Sequence, residues 1–196
     1  MARLWLDVDI TLWTPCHKHF LTPIIASLDT PYPYLNRAEL TSIFSNFIDI
    51  WNLHRSFYTS LTIFLNSSAS VRAREKPPPL SPVLLAHFPY LSLYTPFVSS
   101  FSDALASYAA LLRNNSAFAN FISTQEADPR CGKLKFRDWL LTIVQRCPRY
   151  LLLLKDMISC TDTNDPEYAS LTAVHTLVAK SESFQNSPTR ACSITD

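Results

Sequence analysis

The chain has 196 residues, of which 47% are hydrophobic and 17% charged, so it can bury a large core as one domain. Its net charge of +1 is too small a field to indicate nucleic acid as a partner. It contains one glycine, Gly132, whereas loops that bind nucleotide phosphates need several glycines close together. These properties argue against direct binding of either nucleic acid or a nucleotide.

The cysteines are odd in number and scattered, without CxxC spacing, which is typical of reduced thiols in a cytosolic protein. They are Cys16, Cys131, Cys147, Cys160 and Cys192. No apolar run approaches the roughly twenty residues of a membrane span, and Asp7 and Asp9 interrupt the apolar stretch after Arg3, unlike a secretory signal. The sequence predicts a cytoplasmic protein with no transmembrane segment.

The first clear helix signal is Asn36, a preferred N-cap residue, with Glu39 placed to complete a capping box. Apolar residues then recur at spacings of three and four as far as Leu61, which predicts one helix of about 28 residues. Residues 66–79 are polar and end in three prolines, which predicts an exposed loop.

Shorter helices are predicted after this loop. Ser81 and Pro82 open the first of them, and Pro89 ends it. Thr95 and Pro96 begin a second helix with apolar positions to Leu112. The boundaries of the following helices are indicated by Asn114 and Asn115, by Ser116 as an N-cap, by a turn over 128–132, and by Asp165 with Pro166 before the last helix. Strand-like alternation is nowhere sustained, so the predicted fold class is all-α.

Residues 135–161 carry an apolar stripe on one face of a predicted helix and a mixed stripe on the opposite face, at about 100° per residue. The inner stripe, predicted to face the core, contains Leu140, Val144, Cys147, Leu151, Leu154 and Ile158. The outer stripe contains Leu141, Gln145, Arg149 and Leu152. Pro148 removes an amide donor within this helix, which predicts a kink near Val144.

Most basic residues between Arg130 and Lys155, Arg146 among them, are predicted to lie on a solvated helix face. The outer stripe differs, because leucines beside an arginine on a face turned away from the core are typical of a protein-binding surface.

No chemistry for a reaction is apparent. The CHKH segment at 16–19 has no second ligand pair for zinc, and His54 and His87 suit hydrogen-bonded or half-exposed imidazoles on helices. We expect no metal, no cofactor and no catalytic residue.

Three segments in order resemble the Dbl homology domain of Rho guanine nucleotide exchange factors. They are IFSNFIDIWNLHRSFYTSL from residue 43, PPPLSPVLLAHFPYLSLYTPFVSSFSDAL from residue 77, and LKFRDWLLTIVQRCPRYLLLLKDMISCT from residue 134, which DPEYASL follows. The resemblance covers 20–186 and implies an elongated bundle of about six helices. It also implies contacts to the switch regions of a Rho-family small GTPase from Leu141, Gln145, Arg149 and Leu152, and from Asn186 in the last helix.

Two departures accompany the resemblance. The glutamate that contacts switch I in this family has no match in the atypical segment 1–19, where Asp7 and Asp9 are out of register. The tail 187–196 does not match the pleckstrin homology domain that usually follows. The resemblance implies an exchange factor that acts without covalent chemistry, and the missing glutamate leaves a second hypothesis: a helical binding module that holds a GTPase, or another copy of itself, without exchange activity.

Overall fold

The computed structural model describes residues 10–69, 78–131 and 134–186, with side chains over 13–68, 78–131 and 134–182. Over these ranges the secondary structure is helical and includes no strand, so the predicted all-α class is confirmed. Asp7 and Asp9 lie outside the described residues, and so do Gly132, Cys192 and the tail 187–196.

The α-helices run in chain order with short connections. Their bounds are α1 Ile10–Pro15, α2 Thr22–Ser27, α3 Arg37–Phe44, α4 Phe47–Ala69, α5 Ser81–His87, α6 Tyr94–Ser99, α7 Phe101–Asn114, α8 Ser116–Ala127, α9 Phe136–Val144, α10 Arg146–Ser159 and α11 Pro166–Asn186. A π-helical segment, Cys16–Leu21, joins α1 to α2, and 3-10 segments occupy Phe88–Leu93 and Pro129–Cys131.

The predicted helix of about 28 residues is wrong in two respects. Ser45 interrupts it, and its second part, α4, continues to Ala69, into the segment 66–79 that was expected to be a loop. Ser45 has φ 45° and ψ −125°, which ends α3, and Asn46 then donates from Nδ2 to the Leu93 carbonyl at 2.7 Å. The start was predicted correctly: Asn36 Oδ1 accepts from the Glu39 amide at 2.9 Å, and Glu39 Oε2 accepts from the Asn36 amide at 2.8 Å. Buried apolar residues continue across the interruption, from Ile43 and Phe44 to Phe47 and Ile50, so the spacing shows no break.

Two further boundaries differ from the prediction. The helix expected from Thr95 to Leu112 begins at Tyr94 and is divided at Ser100 into α6 and α7. The N-cap of α8 is Asn115, whose Oδ1 accepts from the Phe118 amide at 2.9 Å, and not Ser116. Asn115 also donates to the Tyr34 carbonyl at 2.9 Å, a tertiary bond that local sequence does not indicate.

The helix over 135–161 is kinked, as predicted, with the junction at Gln145 between α9 and α10. Gln145 has φ −77° and ψ 1°, away from helical values. Because Pro148 has no amide hydrogen, it cannot donate to the Val144 carbonyl one turn earlier. The kink therefore follows from the sequence and lies one residue from its expected position.

The core contains two groups of packed aromatic rings. In one, the Phe136 ring lies 5.0 Å from Phe20, 5.5 Å from Phe44 and 5.1 Å from Tyr108 between centroids. In the other, Tyr150 lies 4.9 Å from Phe88 and packs against α4. Through these rings α9 and α10 are fixed to the helices on either side of them.

Glu167, in the first turn of α11, connects that helix to α5. Its carboxylate accepts from the Leu80 and Ser81 amides at 2.9 and 2.8 Å and from the Ser81 hydroxyl at 2.7 Å. These amides belong to the unpaired donors at the start of α5. A residue 86 positions later in the chain thus caps this helix.

Among the described residues, no helix combines the length and apolar character needed to cross a membrane.

Candidate functional site

The outer stripe lies on the surface of the folded chain. Leu141 is 41% exposed and Leu152 is 64% exposed, Gln145 is exposed and Arg149 is half-buried. Leu141 and Leu152 are too exposed to contribute much to the core. Arg149 lies between them and can offer the planar donor group of its guanidinium to a partner. The stripe has the composition of a protein-binding patch.

The outer stripe is divided between two helices. Leu141 belongs to α9, Gln145 is the junction residue, and Arg149 and Leu152 belong to α10. Arg149 Nη2 donates to Gln145 Oε1 at 3.3 Å, across one turn of the exposed face. The two polar side chains therefore present one joined group of donors and acceptors to solvent.

The inner stripe faces the core, although its burial is uneven. Leu140, Cys147 and Leu154 are buried, whereas Val144, Leu151 and Ile158 are half-buried. Ile143 and Tyr150 are also buried, so the packed face of α9 and α10 is wider than the stripe predicted from the sequence. The assignment of the two faces is nevertheless the predicted one.

Arg146 corrects the prediction of a uniformly solvated basic face. It is 1% exposed, and its guanidinium carbon lies 4.8 Å from the centroid of the Tyr150 ring and 5.5 Å from that of Trp13. Both distances are within the range of cation-π attraction. A buried arginine thus lies directly after the junction residue of the outer stripe.

His54 on α4 is buried in the same region, in agreement with the hydrogen-bonded imidazole expected from the sequence. Its Nε2 is 2.6 Å from the Tyr94 hydroxyl and its Nδ1 is 3.1 Å from the Tyr150 hydroxyl. The Trp13 ring meets the imidazole edge to face at 4.7 Å. Three helices therefore share one buried polar network behind the outer stripe.

Trp13 on α1 extends this network to α9. Its Nε1 donates to Thr142 Oγ1 at 3.0 Å, and Thr142 Oγ1 donates to the Trp139 carbonyl at 2.7 Å. Trp13 and Thr142 are 129 positions apart. Sequence reasoning missed this network, and its only local signal was an arginine next to the outer stripe on the core side.

Of the remaining candidates, His87 has its Nε2 3.0 Å from the Ser60 hydroxyl, and Cys16 is buried. Burial raises the pKa of the Cys16 thiol to about 12, with Cys131 as a further cause, so this cysteine is a poor nucleophile. Within the described part of the chain, no cluster of three His, Cys, Asp or Glu side chains is arranged to hold a metal ion. Asn186 ends α11, and its side chain lies outside the described residues.

A family model matches most of the chain. The RhoGEF domain model matches residues 14–186, a range that contains the outer stripe, the buried network and the end of α11.

Curated relatives match the chain over a small part of their own length. FYVE, RhoGEF and PH domain-containing protein 3 of Mus musculus is 30% identical over 130 residues, which is 65% of this chain and 17% of that protein. Rac guanine nucleotide exchange factor B of Dictyostelium discoideum is 26% identical over 172 residues, 77% of this chain and 14% of that protein.

Solved structures match over nearly the whole chain. The DH/PH domains of PDZ-RhoGEF, in complex with activated RhoA, superpose with a TM-score of 0.78 at 20% identity and cover 93% of this chain and 50% of theirs. The N-terminally truncated linker-DH/PH domains of p115-RhoGEF give a TM-score of 0.75 at 24% identity, covering 93% of this chain and 52% of theirs. These likenesses establish the fold.

Proposed function

Because the chain belongs to the RhoGEF domain family, we propose that it is a guanine nucleotide exchange factor for a Rho-family small GTPase. The observation that supports this most directly is the outer stripe, where exposed Leu141 and Leu152 flank the bonded pair Gln145 and Arg149. A relative named as a Rac guanine nucleotide exchange factor supports the same function. So do a relative whose name includes a RhoGEF domain and the fold shared with RhoGEF structures.

The proposed mechanism is differential binding and requires no acid, base or nucleophile. A protein that binds the nucleotide-free GTPase more tightly than the GDP-bound form lowers the affinity for GDP by the same factor. The outer stripe would dock on the switch segments, which hold the phosphates and Mg²⁺ in the GTPase. GDP then leaves, and free nucleotide refills the site.

Each residue of the outer stripe has a separate part in this proposal. Arg149 can direct its fork of donors at a switch carboxylate or carbonyl, while Gln145 orients that fork through their 3.3 Å bond. Leu141 and Leu152 provide apolar contact on either side. Asn186 is proposed as a further hydrogen-bonding contact, from its place at the end of α11.

The proposal includes a cytoplasmic location, where the thiols of Cys16 and Cys147 remain reduced. It leaves the preferred GTPase open, since selectivity depends on small differences around a shared contact surface.

The test is release of a fluorescent GDP analogue from a panel of Rho-family GTPases, including Rho and Rac members. We expect the wild-type chain to accelerate release from at least one of them. Arg149→Glu should abolish the acceleration, because a carboxylate in place of the guanidinium repels the acidic or carbonyl groups that the fork would bind. Lys155→Glu, an exposed position on α10 outside the outer stripe, is the matched control and should retain activity.

Failure of the wild-type chain to accelerate release from any GTPase, with its helical circular dichroism intact, would exclude exchange. Retained pull-down of a nucleotide-free GTPase in that case would favour the binding module instead. Equal losses in Arg149→Glu and Lys155→Glu would show that net charge matters and that the outer stripe does not.

A further inference from the structure

The shape of the outer stripe depends on the angle between α9 and α10. Leu141 moves with α9, Arg149 and Leu152 move with α10, and Gln145 is the hinge between them. Pro148 weakens the backbone ladder at this point, so the backbone alone holds the angle less firmly than an unbroken helix would. A partner that requires all four side chains at once needs this angle to be fixed.

Trp13 contacts both sides of the hinge. Its Nε1–H is bonded to Thr142 on α9, three residues before Gln145, at 3.0 Å. Its ring packs against the guanidinium of Arg146 on α10, one residue after Gln145, at 5.5 Å. One rigid indole from α1 thus holds α9 by a hydrogen bond and α10 by a cation-π contact.

The α10 side of the hinge has a second support. Arg146 also lies over the Tyr150 ring at 4.8 Å, and the Tyr150 hydroxyl is 3.1 Å from His54 Nδ1. The other ring nitrogen of His54 is 2.6 Å from the Tyr94 hydroxyl. A neutral imidazole has one donor and one acceptor, so His54 on α4 can accept from one tyrosine hydroxyl and donate to the other, which ties α6 and α10 to α4.

We propose that Trp13, Thr142 and Arg146 form a clamp that sets the angle between α9 and α10, and thereby positions the outer stripe for its GTPase. Arg146 and Thr142 are positioning residues in this scheme, since they act through Gln145 and Arg149. The inference rests on the proposed exchange function, which its kinetic test requires. A second test measures distances within the chain and does not require that function.

A clamp differs from ordinary core packing in how stability and activity respond to mutation. Arg146→Met keeps an apolar stem of similar length and removes the cost of desolvating a buried charge, while it loses the two cation-π contacts. These effects oppose each other, so Arg146→Met should shift the melting temperature little, yet lower exchange. If Arg146 only packed the core, exchange activity would fall only where stability also falls.

The kinetic experiment measures GDP release against concentration of the chain, which separates the maximal rate from the half-saturating concentration. The variants are Arg146→Met and Thr142→Val, the second of which removes the Trp13 bond with little change of shape. We expect each to lower the maximal rate about tenfold, the size of effect that a small misplacement can produce. Tyr108→Phe, which removes a buried hydroxyl from α7, is the control and should match the wild type.

A double-mutant cycle shows whether Arg146 acts through the outer stripe. In an Arg149→Ala background, Arg146→Met should lower the remaining rate less than about threefold, because the side chain it positions is already absent. The proposal would be overturned if the double variant lost the product of the two separate rate reductions. It would also be overturned if both clamp variants had the wild-type rate.

A second measurement does not depend on exchange activity. Spin labels at Arg137→Cys on α9 and Lys155→Cys on α10, with Cys160→Ser and Cys192→Ser, report the distance between the two helices. We expect a broader or shifted distribution for Arg146→Met and Thr142→Val than for Tyr108→Phe. Unchanged distance distributions would refute the clamp, whether or not the chain is an exchange factor. Changed distributions in a chain without exchange activity would refute only the proposed function.

Discussion

His17 lies flat against Trp51, with ring centroids 4.6 Å apart and planes 12° apart. Burial against this ring lowers the pKa of His17 below its ordinary value of 6.5, and the charges of Arg55 and Lys18 lower it further. The folded chain thus favours the neutral imidazole, while the unfolded chain binds a proton more readily. This histidine therefore stabilises the fold above pH 6.5, and the stabilisation is lost as the pH falls through the lower pKa of the folded state.

The pH dependence gives a prediction for His17→Gln, whose side chain does not titrate. Between pH 7.5 and pH 5 the melting temperature of the variant should fall less than that of the wild type. His175→Gln, on α11, is the control for removal of a histidine as such. The His17 ring protons should titrate below pH 6.5 by NMR, and a midpoint at or above that value would contradict the assignment.

At the scale of single elements, Ser45 is the residue that separates α3 from α4. Its φ of 45° with ψ −125° is a conformation that glycine adopts readily and other residues adopt at a cost. Because serine occupies this position, the connection between α3 and α4 is strained.

Ser45→Gly should stabilise the chain by about 1 kcal/mol, because relief of the strain outweighs the greater freedom of glycine in the unfolded state. Ser42→Gly, three residues earlier in the exposed face of α3, should instead destabilise it by about 0.5–1 kcal/mol. Urea unfolding of both variants provides the comparison. A loss of stability in Ser45→Gly would show that the turn requires the serine.

The elements differ in how far the sequence determines them. The capping box at Asn36 and Glu39 and the kink before Pro148 were predictable, because each depends on groups within one or two turns. The interruption at Ser45 was not, since Asn46 is fixed by the Leu93 carbonyl 47 positions away, and the apolar spacing remains in phase across it.

At the scale of the whole molecule, α10 separates a packed face from an exposed face within two residues. Leu152 is 64% exposed and Leu154 is fully buried. Helical spacing was sufficient to predict this division, and with it the four residues of the outer stripe. It could not predict the buried arginine, since one of the two rings that cover Arg146 comes from Trp13, in a helix that only the folded chain brings near.

Leu152→Asp and Leu154→Ala should therefore have opposite effects. Leu152→Asp should change the free energy of unfolding by no more than about 0.5 kcal/mol and abolish exchange. Leu154→Ala should cost about 2–5 kcal/mol of stability and leave exchange per folded molecule near the wild-type value. Urea unfolding and GDP release measured on the same preparations check both, and a large stability loss in Leu152→Asp would contradict its placement on an exposed face.

The carboxylate of Glu167 has a consequence for local opening of the molecule. The Leu80 and Ser81 amides donate to a side chain on α11 and not to a neighbouring turn, so their protection from hydrogen exchange lasts only while the start of α11 is docked. Deuterium uptake at these two amides thus reports the opening of the last helix from a position 86 residues away in the sequence.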